Sequence, residues 1–147
     1  MRDILIVEDG FHERERLCKL FSAAHYSVSS AETVSEAEKI LAQEHFRLII
    51  LDIGLGDKSG SYLFERIKNQ PRVPYVIILT GNPSIHLKQR FLDEGAAAYL
   101  VKASPAAGNE ALIGSICSLL GKPHQEEMTG IALEEFLQRY VTESSRQ

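Results

Sequence analysis

The chain has 147 residues, of which 44% are hydrophobic and 24% are charged, and this is typical of one folded domain with a short appendage. The composition excludes a disordered, collagenous or coiled-coil chain. Because 20 acidic side chains outnumber 16 basic ones, there is no overall positive field to attract nucleic acid or anionic lipid.

The cysteines and the apolar runs indicate the compartment. Cys18 and Cys117 form neither a disulfide framework nor a zinc-site pattern. No apolar run is long enough for a signal peptide or a membrane span. We therefore expect a cytoplasmic protein, and we expect this segment to bind neither nucleic acid nor a membrane.

Short apolar runs rich in β-branched residues recur along the chain and predict strands buried on both faces of a parallel sheet. These runs are residues 4–7, 48–51, 75–79 and 98–101. A weaker strand is predicted at residues 26–30, where apolar and polar residues alternate. Alternation is typical of an edge strand.

Five segments between and after these strands have the spacing of amphipathic helices. The second begins with a capping box, in which the Thr33 hydroxyl and the Glu36 carboxylate bond to backbone N–H groups. The third stops before Pro71, and the fourth ends at Gly95, which suits a left-handed helix end. The predicted apolar faces consist of Leu17, Leu20, Phe21 and Ala24 in the first helix, Val34, Ala37, Ile40 and Leu41 in the second, Leu63, Phe64 and Ile67 in the third, Leu87, Phe91 and Leu92 in the fourth, and Leu112, Ile113, Ile116, Leu119 and Leu120 in the fifth.

Strand and helix alternate five times between residues 3 and 120, which predicts a doubly wound α/β domain with helices on both faces of a parallel sheet. We assign residues 1–121 to this domain. Residues 122–147 are predicted to form a polar linker and an amphipathic C-terminal helix. Its apolar stripe comprises Ile131, Leu133, Phe136, Leu137, Tyr140 and Val141.

The stripe of this last helix requires a partner, because a helix of about twelve residues is marginal alone in water. Its own domain, a second copy of the chain in a homodimer and a further domain are all open possibilities. We expect the helix to take part in self-association or to regulate a neighbouring face of the domain.

Polar side chains follow the predicted strands where each strand ends. Glu8 and Asp9 follow the first strand, Asp52 the third, Thr80 the fourth and Lys102 the fifth. Because ligands of such sheets bind beyond the carboxyl ends of the strands, we expect these side chains to converge. Three carboxylates together repel one another, whereas Mg²⁺ and one ammonium group would neutralise them and leave capacity for a phosphoryl group. An Asp carboxylate can itself accept a phosphoryl group.

Each of these residues also has a simpler interpretation. Asp9 could cap the first helix. Asp52 and Thr80 could be turn residues before glycines, and Lys102 could be a solvated surface charge. Their joint occurrence at one edge of the sheet favours a functional site.

Five motifs in order identify a family resemblance over residues 3–120. They are Ile4-Leu5-Ile6-Val7-Glu8-Asp9, Leu48-Ile49-Ile50-Leu51-Asp52-Ile53-Gly54-Leu55 with Gly60, Thr80-Gly81, Gly95-Ala96, and Tyr99-Leu100-Val101-Lys102. The chain resembles the receiver domain of bacterial two-component response regulators. The resemblance implies a flavodoxin-like five-stranded parallel sheet of order 2-1-3-4-5, and a histidine kinase or phosphotransfer protein as partner. It also implies a protein that is not an enzyme beyond its own phosphorylation and dephosphorylation.

The resemblance further implies how the acidic residues act. Asp52 would be the phosphoacceptor. Asp9, Asp52 and the Gly54 carbonyl would bind Mg²⁺ directly, and Glu8 would help through water.

A second group of roles concerns the response to phosphorylation. By the resemblance, Thr80 and Lys102 would contact the phosphoryl oxygens and Tyr99 would be an aromatic switch. The new charge would draw Thr80 inward, Tyr99 would enter the space it leaves, and the face formed by the fourth helix, fifth strand and fifth helix would change shape. Without the resemblance, Tyr99 could equally be an ordinary half-buried strand aromatic.

Two residues depart from the family pattern. Gly56 stands where a proline is common, which predicts a more flexible loop. Ala103 stands where the family usually has a proline after a cis bond, and a cis bond before another residue costs about 2.5 to 4 kcal/mol. Either the bond is trans and Lys102 is aimed differently, or strain is stored there.

Other classes of function fit the residues less well. Phosphatases that resemble the haloacid dehalogenase superfamily have a second Asp two residues after the nucleophile, where this chain has Gly54. A flavodoxin-like cofactor binder needs a donor-rich loop after the first strand, and Glu8 and Asp9 would repel its phosphate. A pseudo-receiver used only for protein interactions is the remaining alternative, and the complete set of polar residues argues against it.

Overall fold

The computed structural model describes residues 1–54 and 59–121. In these residues five β-strands alternate with five α-helices, as the sequence predicts, and a short 3₁₀ turn at Pro105–Ala107 precedes the last helix. The elements are β1 (Arg2–Val7), α1 (Phe11–Ala23), β2 (Val28–Ala31), α2 (Val34–Gln43), β3 (Phe46–Leu51), α3 (Gly60–Lys68), β4 (Tyr75–Thr80), α4 (Ile85–Asp93), β5 (Ala98–Val101) and α5 (Asn109–Leu120).

The five strands form one parallel sheet in the order β2-β1-β3-β4-β5, which confirms the predicted fold and the edge position of β2. Val7 at the end of β1 pairs with Leu51 at the end of β3. Thr80 at the end of β4 pairs with Val101 at the end of β5. This register places the residues after β1, β3, β4 and β5 along one edge of the sheet, and we call it the carboxyl edge.

The sheet separates two apolar cores, because each parallel strand sends alternate side chains to opposite faces. On one face α1 and α5 cover Ile4, Ile6 and Leu48. On the other, α2, α3 and α4 cover Leu5, Ile49 and Ile78. Each of these six side chains is at least 99% buried, and burial contributes about 1.5 to 3 kcal/mol for a side chain of this size.

Side-chain caps define the starts of three helices. The Thr33 hydroxyl accepts a hydrogen bond from the Glu36 N–H (3.1 Å), and the Glu36 carboxylate accepts one from the Glu32 N–H (3.0 Å). Ser59 and Ser84 cap α3 and α4 in the same way. The predicted cap at Thr33 is confirmed, with the Glu36 contact made one residue earlier than in the standard box.

Two details differ from the sequence predictions. Strand β2 begins at Val28, because the Tyr26 N–H bonds to the Phe21 carbonyl (3.0 Å) and closes the end of α1 instead. In α4, Phe91 is buried but Leu92 is 36% exposed. Leu92 follows Phe91 directly and so points about 100° further round the helix.

The remaining predictions concern cysteines, membranes and the chain end. Cys18 and Cys117 are free and partly buried, in agreement with the absence of a disulfide framework. Among the described residues, no helix is both long enough and apolar enough to cross a bilayer. The predicted C-terminal helix and Gly56 lie outside the described residues.

Candidate functional site

Three carboxylates meet at the carboxyl edge of the sheet. Glu8 follows β1 and is 4% exposed, and Asp52 follows β3 and is 7% exposed. Asp9 is exposed to solvent beside them. One carboxylate oxygen from each residue lies within 4.8 Å of the other two. We call these three residues and Lys102 the acidic site.

Lys102 links the two buried carboxylates. Its ammonium Nζ donates to Glu8 Oε2 at 2.9 Å, to Glu8 Oε1 at 3.1 Å and to Asp52 Oδ2 at 2.9 Å. The other Asp52 oxygen, Oδ1, accepts a hydrogen bond from the Gly54 N–H at 2.9 Å. The interpretation of Lys102 as a free surface charge is therefore wrong, whereas Asp52 does make the local turn contact that its simpler interpretation suggested.

The surroundings shift the pKa values of the two buried carboxyls, Glu8 and Asp52, in opposite directions. Burial, with the nearby Asp52 adding to it, raises the pKa of Glu8 to about 7. Burial acts in the same direction on Asp52, but the bonds from the Gly54 N–H and from Lys102 outweigh it and hold the pKa of Asp52 below its usual range. Burial would lower the pKa of Lys102, yet its bonds to Glu8 and Asp52 raise that pKa above the ordinary value. Of the two buried carboxyls, Asp52 is thus the one that stays ionised more readily.

Backbone packing fixes the end of β3 against the start of α3. A Cβ atom on Gly60 would lie 2.5 Å from the Asp52 carbonyl oxygen, which is far inside contact distance. The Gly60 N–H also bonds to the Ile53 carbonyl at 3.3 Å. Only glycine lets α3 begin this close to Asp52, which gives a physical reason for the Gly60 of the sequence motif.

The start of α1 holds the Glu8–Asp9 segment. Gly10, not Asp9, is the residue that precedes the first helical turn, so the interpretation of Asp9 as the helix cap is wrong. The Gly10 N–H donates to Glu8 Oε1 at 3.1 Å. Arg14 Nη1 donates to the carbonyls of Glu8 (2.9 Å) and Asp9 (3.3 Å). No residue pattern predicted this role for Arg14, because its contacts are to backbone carbonyls.

Thr80 and Tyr99 are connected through the backbone of one residue, Asn82. The Thr80 hydroxyl accepts from the Asn82 N–H at 3.2 Å, and the Tyr99 hydroxyl donates to the Asn82 carbonyl at 2.8 Å. Tyr99 is 4% exposed and its ring stacks on Phe91, with 6.2 Å between centroids. Burial also raises the pKa of Tyr99.

This arrangement bears on what we expect of Tyr99. Tyr99 is buried rather than half-buried, so the interpretation as a half-buried aromatic is wrong. The ring is already buried in this arrangement, in which the Asn82 N–H donates to the Thr80 hydroxyl. Its movement into a space that Thr80 leaves on phosphorylation stays a prediction. Asn82 was not among the predicted residues, since its side chain takes no part in either bond.

A tight turn at residues 101–104 aims Lys102 at the acidic site. The Ser104 N–H and hydroxyl both donate to the Val101 carbonyl, at 3.1 Å and 2.6 Å. The bond from Lys102 to Ala103 is trans, and Ala103 has φ of 68°. This left-handed conformation costs an L-residue about 1 to 2 kcal/mol. Of the two alternatives, the trans bond is the one present, yet Lys102 still reaches both carboxylates. The strain at this turn lies in the φ of Ala103 and not in a cis bond.

Comparisons with known proteins agree with this geometry. The family model described as the response regulator receiver domain matches residues 4–112. The transcriptional regulatory protein BasR of Escherichia coli is 36% identical over 99 residues, which cover 67% of this chain and 45% of BasR. The transcriptional regulatory protein KdpE of Staphylococcus aureus is 28% identical over 123 residues, which cover 84% of this chain and 52% of KdpE.

Solved structures show the same fold. The non-phosphorylated HemR receiver domain from Leptospira biflexa has a TM-score of 0.74 and 28% identity, with 85% of this chain and all of that chain covered. The response regulator TrrA from Thermotoga maritima, in complex with Mg²⁺ and BeF, has a TM-score of 0.66 and 26% identity, with 79% of this chain and 99% of that chain covered.

The fold, the strand-end residues and these matches define a signalling domain of two-component systems. The chain belongs to the response regulator receiver domain family. It spans about half the length of the curated relatives BasR and KdpE.

Proposed function

We propose that this chain accepts a phosphoryl group on Asp52 in an Mg²⁺-dependent reaction, with a histidine kinase or a phosphotransfer protein as donor. The observation that carries the proposal is the state of Asp52. It is 7% exposed, its pKa is held low, and Lys102 donates to it at 2.9 Å. An ionised carboxylate can act as the nucleophile towards phosphorus. The adjacent ammonium group can stabilise the negative charge of the incoming phosphoryl group.

The acidic site fits Mg²⁺. Mg²⁺ prefers oxygen ligands at about 2.0 to 2.1 Å in octahedral geometry, so opposite ligands lie about 4.2 Å apart. The three carboxylate oxygens within 4.8 Å of one another approach this spacing. Asp9 and Asp52 would hold the ion together with the Gly54 carbonyl, and Glu8 would act through water. When bound, Mg²⁺ would neutralise charge on the carboxylates and on the phosphoryl oxygens.

The transfer itself needs no proton from Asp52. A bond forms between an Asp52 carboxylate oxygen and phosphorus, while the bond between phosphorus and the donor nitrogen of the kinase histidine breaks. Lys102 is placed to exchange part of its contact with Asp52 for a phosphoryl oxygen. The Glu8 carboxylate keeps the ammonium group at the site through two bonds of 2.9 and 3.1 Å.

The response would pass through Thr80. A phosphoryl oxygen attracts the Thr80 hydroxyl, and that movement breaks the bond from the Asn82 N–H. Because Asn82 also holds the Tyr99 hydroxyl, the loop after β4 and the ring of Tyr99 would respond together. Phosphorylation would thus shift an equilibrium between two arrangements of α4, β5 and α5.

The phosphoacceptor is tested by intact mass. The whole chain, incubated with Mg²⁺ and a small phosphodonor such as acetyl phosphate, should gain one phosphoryl group, and a chelator should prevent the gain. Asp52→Asn should gain none, whereas the matched control Asp93→Asn on the exposed face of α4 should behave like the parent chain. A parent chain that gains nothing would indicate an interaction-only receiver, and a phosphorylated Asp52→Asn would assign the acceptor elsewhere.

The switch is tested by NMR with beryllofluoride as the phosphoryl analogue. In the parent chain we expect amide shifts at Thr80, Asn82, Tyr99 and along α4. Thr80→Ala should bind the analogue but reduce the shifts at Tyr99 and α4 several-fold, and Thr80→Ser, which keeps the hydroxyl, should restore them. Equal shifts in all three proteins would show that the signal bypasses Thr80.

A further inference from the structure

A groove of about 250 Å³ opens between α2 and α3. Its apolar floor includes Phe46, Ile49, Leu63 and Ile67. It lies at the amino edge of the sheet, where β3 and β4 begin, and so opposite the acidic site. Ligand pockets usually measure about 300 to 1,000 Å³, so this groove suits a few side chains of a helix better than a whole small molecule.

The described residues end at the same amino edge of the sheet, on the face opposite to this groove. Arg47 Nη2 donates to the Leu120 carbonyl at 2.7 Å, and the Tyr26 hydroxyl donates to the Gly121 carbonyl at 3.1 Å. Arg47 directly follows Phe46, which lines the groove. Leu120, next to the last described residue, therefore lies about one arginine side chain away from the start of β3.

The segment that continues from this point has a matching length and pattern. Residues 122–130 are a mostly polar stretch of nine residues that can span up to about 30 Å when extended. The stripe that contains Leu133, Phe136 and Leu137 follows immediately. A short tether gives an effective concentration on the order of millimolar, so even weak affinity for the groove would keep it occupied.

Charges at the groove also suit this segment. Residues 122–147 contain five acidic and three basic side chains. Arg66 and Arg72 lie on one rim, and Arg72 makes no ion pair within residues 1–54 and 59–121. Glu134 and Glu135, beside the apolar stripe, can approach this rim.

We propose that residues 122–147 fold back on their own domain and insert the apolar stripe around Phe136 into the groove between α2 and α3. This assigns the stripe to its own domain rather than to a second copy or a further domain. The occupied groove lies away from the face formed by α4, β5 and α5, which stays free for signalling partners. The contact does not depend on phosphorylation of Asp52.

Amide NMR on the full chain tests the contact from both sides. Phe136→Ala should shift the amides of Ala42, Phe46 and Ile67 several-fold more than Gln138→Ala, which changes the predicted polar side of the same helix. In reverse, Ala42→Glu in the groove should shift the amides of residues 133–141, and Gln43→Glu, the next and exposed residue of α2, should not.

The spectra and the mass by light scattering should be the same after tenfold dilution, because the contact is within one chain. Shifts confined to α4, β5 and α5 would place the segment on the other face and overturn the proposal. Shifts that vanish on dilution, with the mass falling from two chains to one, would make a second copy the occupant. Equal effects of all four variants would show that the groove stays empty.

Discussion

The two edges of the sheet bury the same kinds of charged groups but balance them differently. At the amino edge the Asp3 carboxylate accepts from the Ser27 N–H (2.9 Å) and from Arg47 (3.3 Å), and Arg47 also satisfies the Leu120 carbonyl. We call this the Asp3–Arg47 network. At the carboxyl edge Lys102 donates to Glu8 and Asp52, and Asp9 stands beside them.

The balance of charge distinguishes a structural ion pair at the amino edge from the candidate functional site at the carboxyl edge. In the Asp3–Arg47 network one carboxylate meets one cation, and the pair fixes the end of α5 to β3. In the acidic site three carboxylates share one ammonium group, which leaves a surplus of negative charge. Burial first, and the nearby Asp52 second, raise the pKa of Glu8 to about 7. A surplus of this kind costs stability, but it leaves capacity for a divalent cation and a phosphoryl group.

Exchanging the two cations for methionine should give opposite results, and this is the largest effect we expect. Lys102→Met should slow phosphorylation by acetyl phosphate about 100-fold or more, because it removes the ammonium group that we propose to contact the transferred phosphoryl group. Arg47→Met should leave that rate within about twofold but lower the free energy of unfolding by about 2 to 3 kcal/mol, since it breaks a largely buried pair. Intact mass against time and urea unfolding measure the two quantities.

Arg90→Met is the control for the stability measurement, because Arg90 pairs with Glu94 in solvent and such pairs contribute about 0 to 1 kcal/mol. If Arg47→Met also slowed phosphorylation 100-fold, the two edges would be coupled and the comparison would fail.

The sequence predicted most of the architecture, because buried parallel strands and amphipathic helices leave strong periodic patterns. The runs before Glu8, Asp52, Thr80 and Lys102 marked four strand ends, and the topology then brought those residues to one edge. The start of β2 was less well predicted, since Tyr26 closes α1 by a backbone bond rather than by its side-chain type.

The geometry within the site was predicted less completely. Arg14 holds the carbonyls of Glu8 and Asp9, and Asn82 joins Thr80 to Tyr99 through its backbone. Neither contact depends on the chemical type of the backbone partner, so no residue pattern records it. The left-handed conformation of Ala103 was not predicted either, because such a conformation is normally indicated by a glycine in the sequence.

The pH dependence of stability should reveal how the acidic site buries Glu8 beside Asp52. In metal-free protein, folded Glu8 keeps its proton up to about pH 7, whereas the unfolded chain loses it near the ordinary value of 4.5. The folded state therefore binds more protons between these values, and stability falls as the pH rises through this window. Glu8→Gln removes this loss of stability. The free energy of unfolding of this variant, relative to that of the parent chain, should therefore rise by about 2 kcal/mol between pH 5 and 7.5.

Urea unfolding in chelator at several pH values measures this difference. Glu44→Gln at the amino edge is the control, because Glu44 pairs with Arg2 on the surface. If the difference in free energy of unfolding between Glu8→Gln and the parent chain did not change with pH, Glu8 would ionise normally. The two edges would then differ less in their electrostatics than we argue.

The smallest effect concerns the strain at Ala103, next to Lys102. Ala103→Gly should relieve a left-handed strain of about 1 to 2 kcal/mol, but glycine also gives the unfolded chain about 0.4 to 1 kcal/mol more entropy. The net gain should be about 0.5 kcal/mol in the free energy of unfolding. Ala97→Gly, an exposed loop residue whose φ is not positive, should instead lose about 0.4 to 1 kcal/mol.

A gain at Ala103 with a loss at Ala97 would show that the carboxyl edge stores backbone strain as well as surplus charge. Because the Ser104 N–H and hydroxyl still close the turn on the Val101 carbonyl, Lys102 should keep its direction, and the phosphorylation rate of Ala103→Gly should stay within about threefold of the parent chain. Equal losses at both positions would mean that Ala103 carries no strain. The turn would then direct Lys102 without a cost in stability, and only charge would distinguish the two edges.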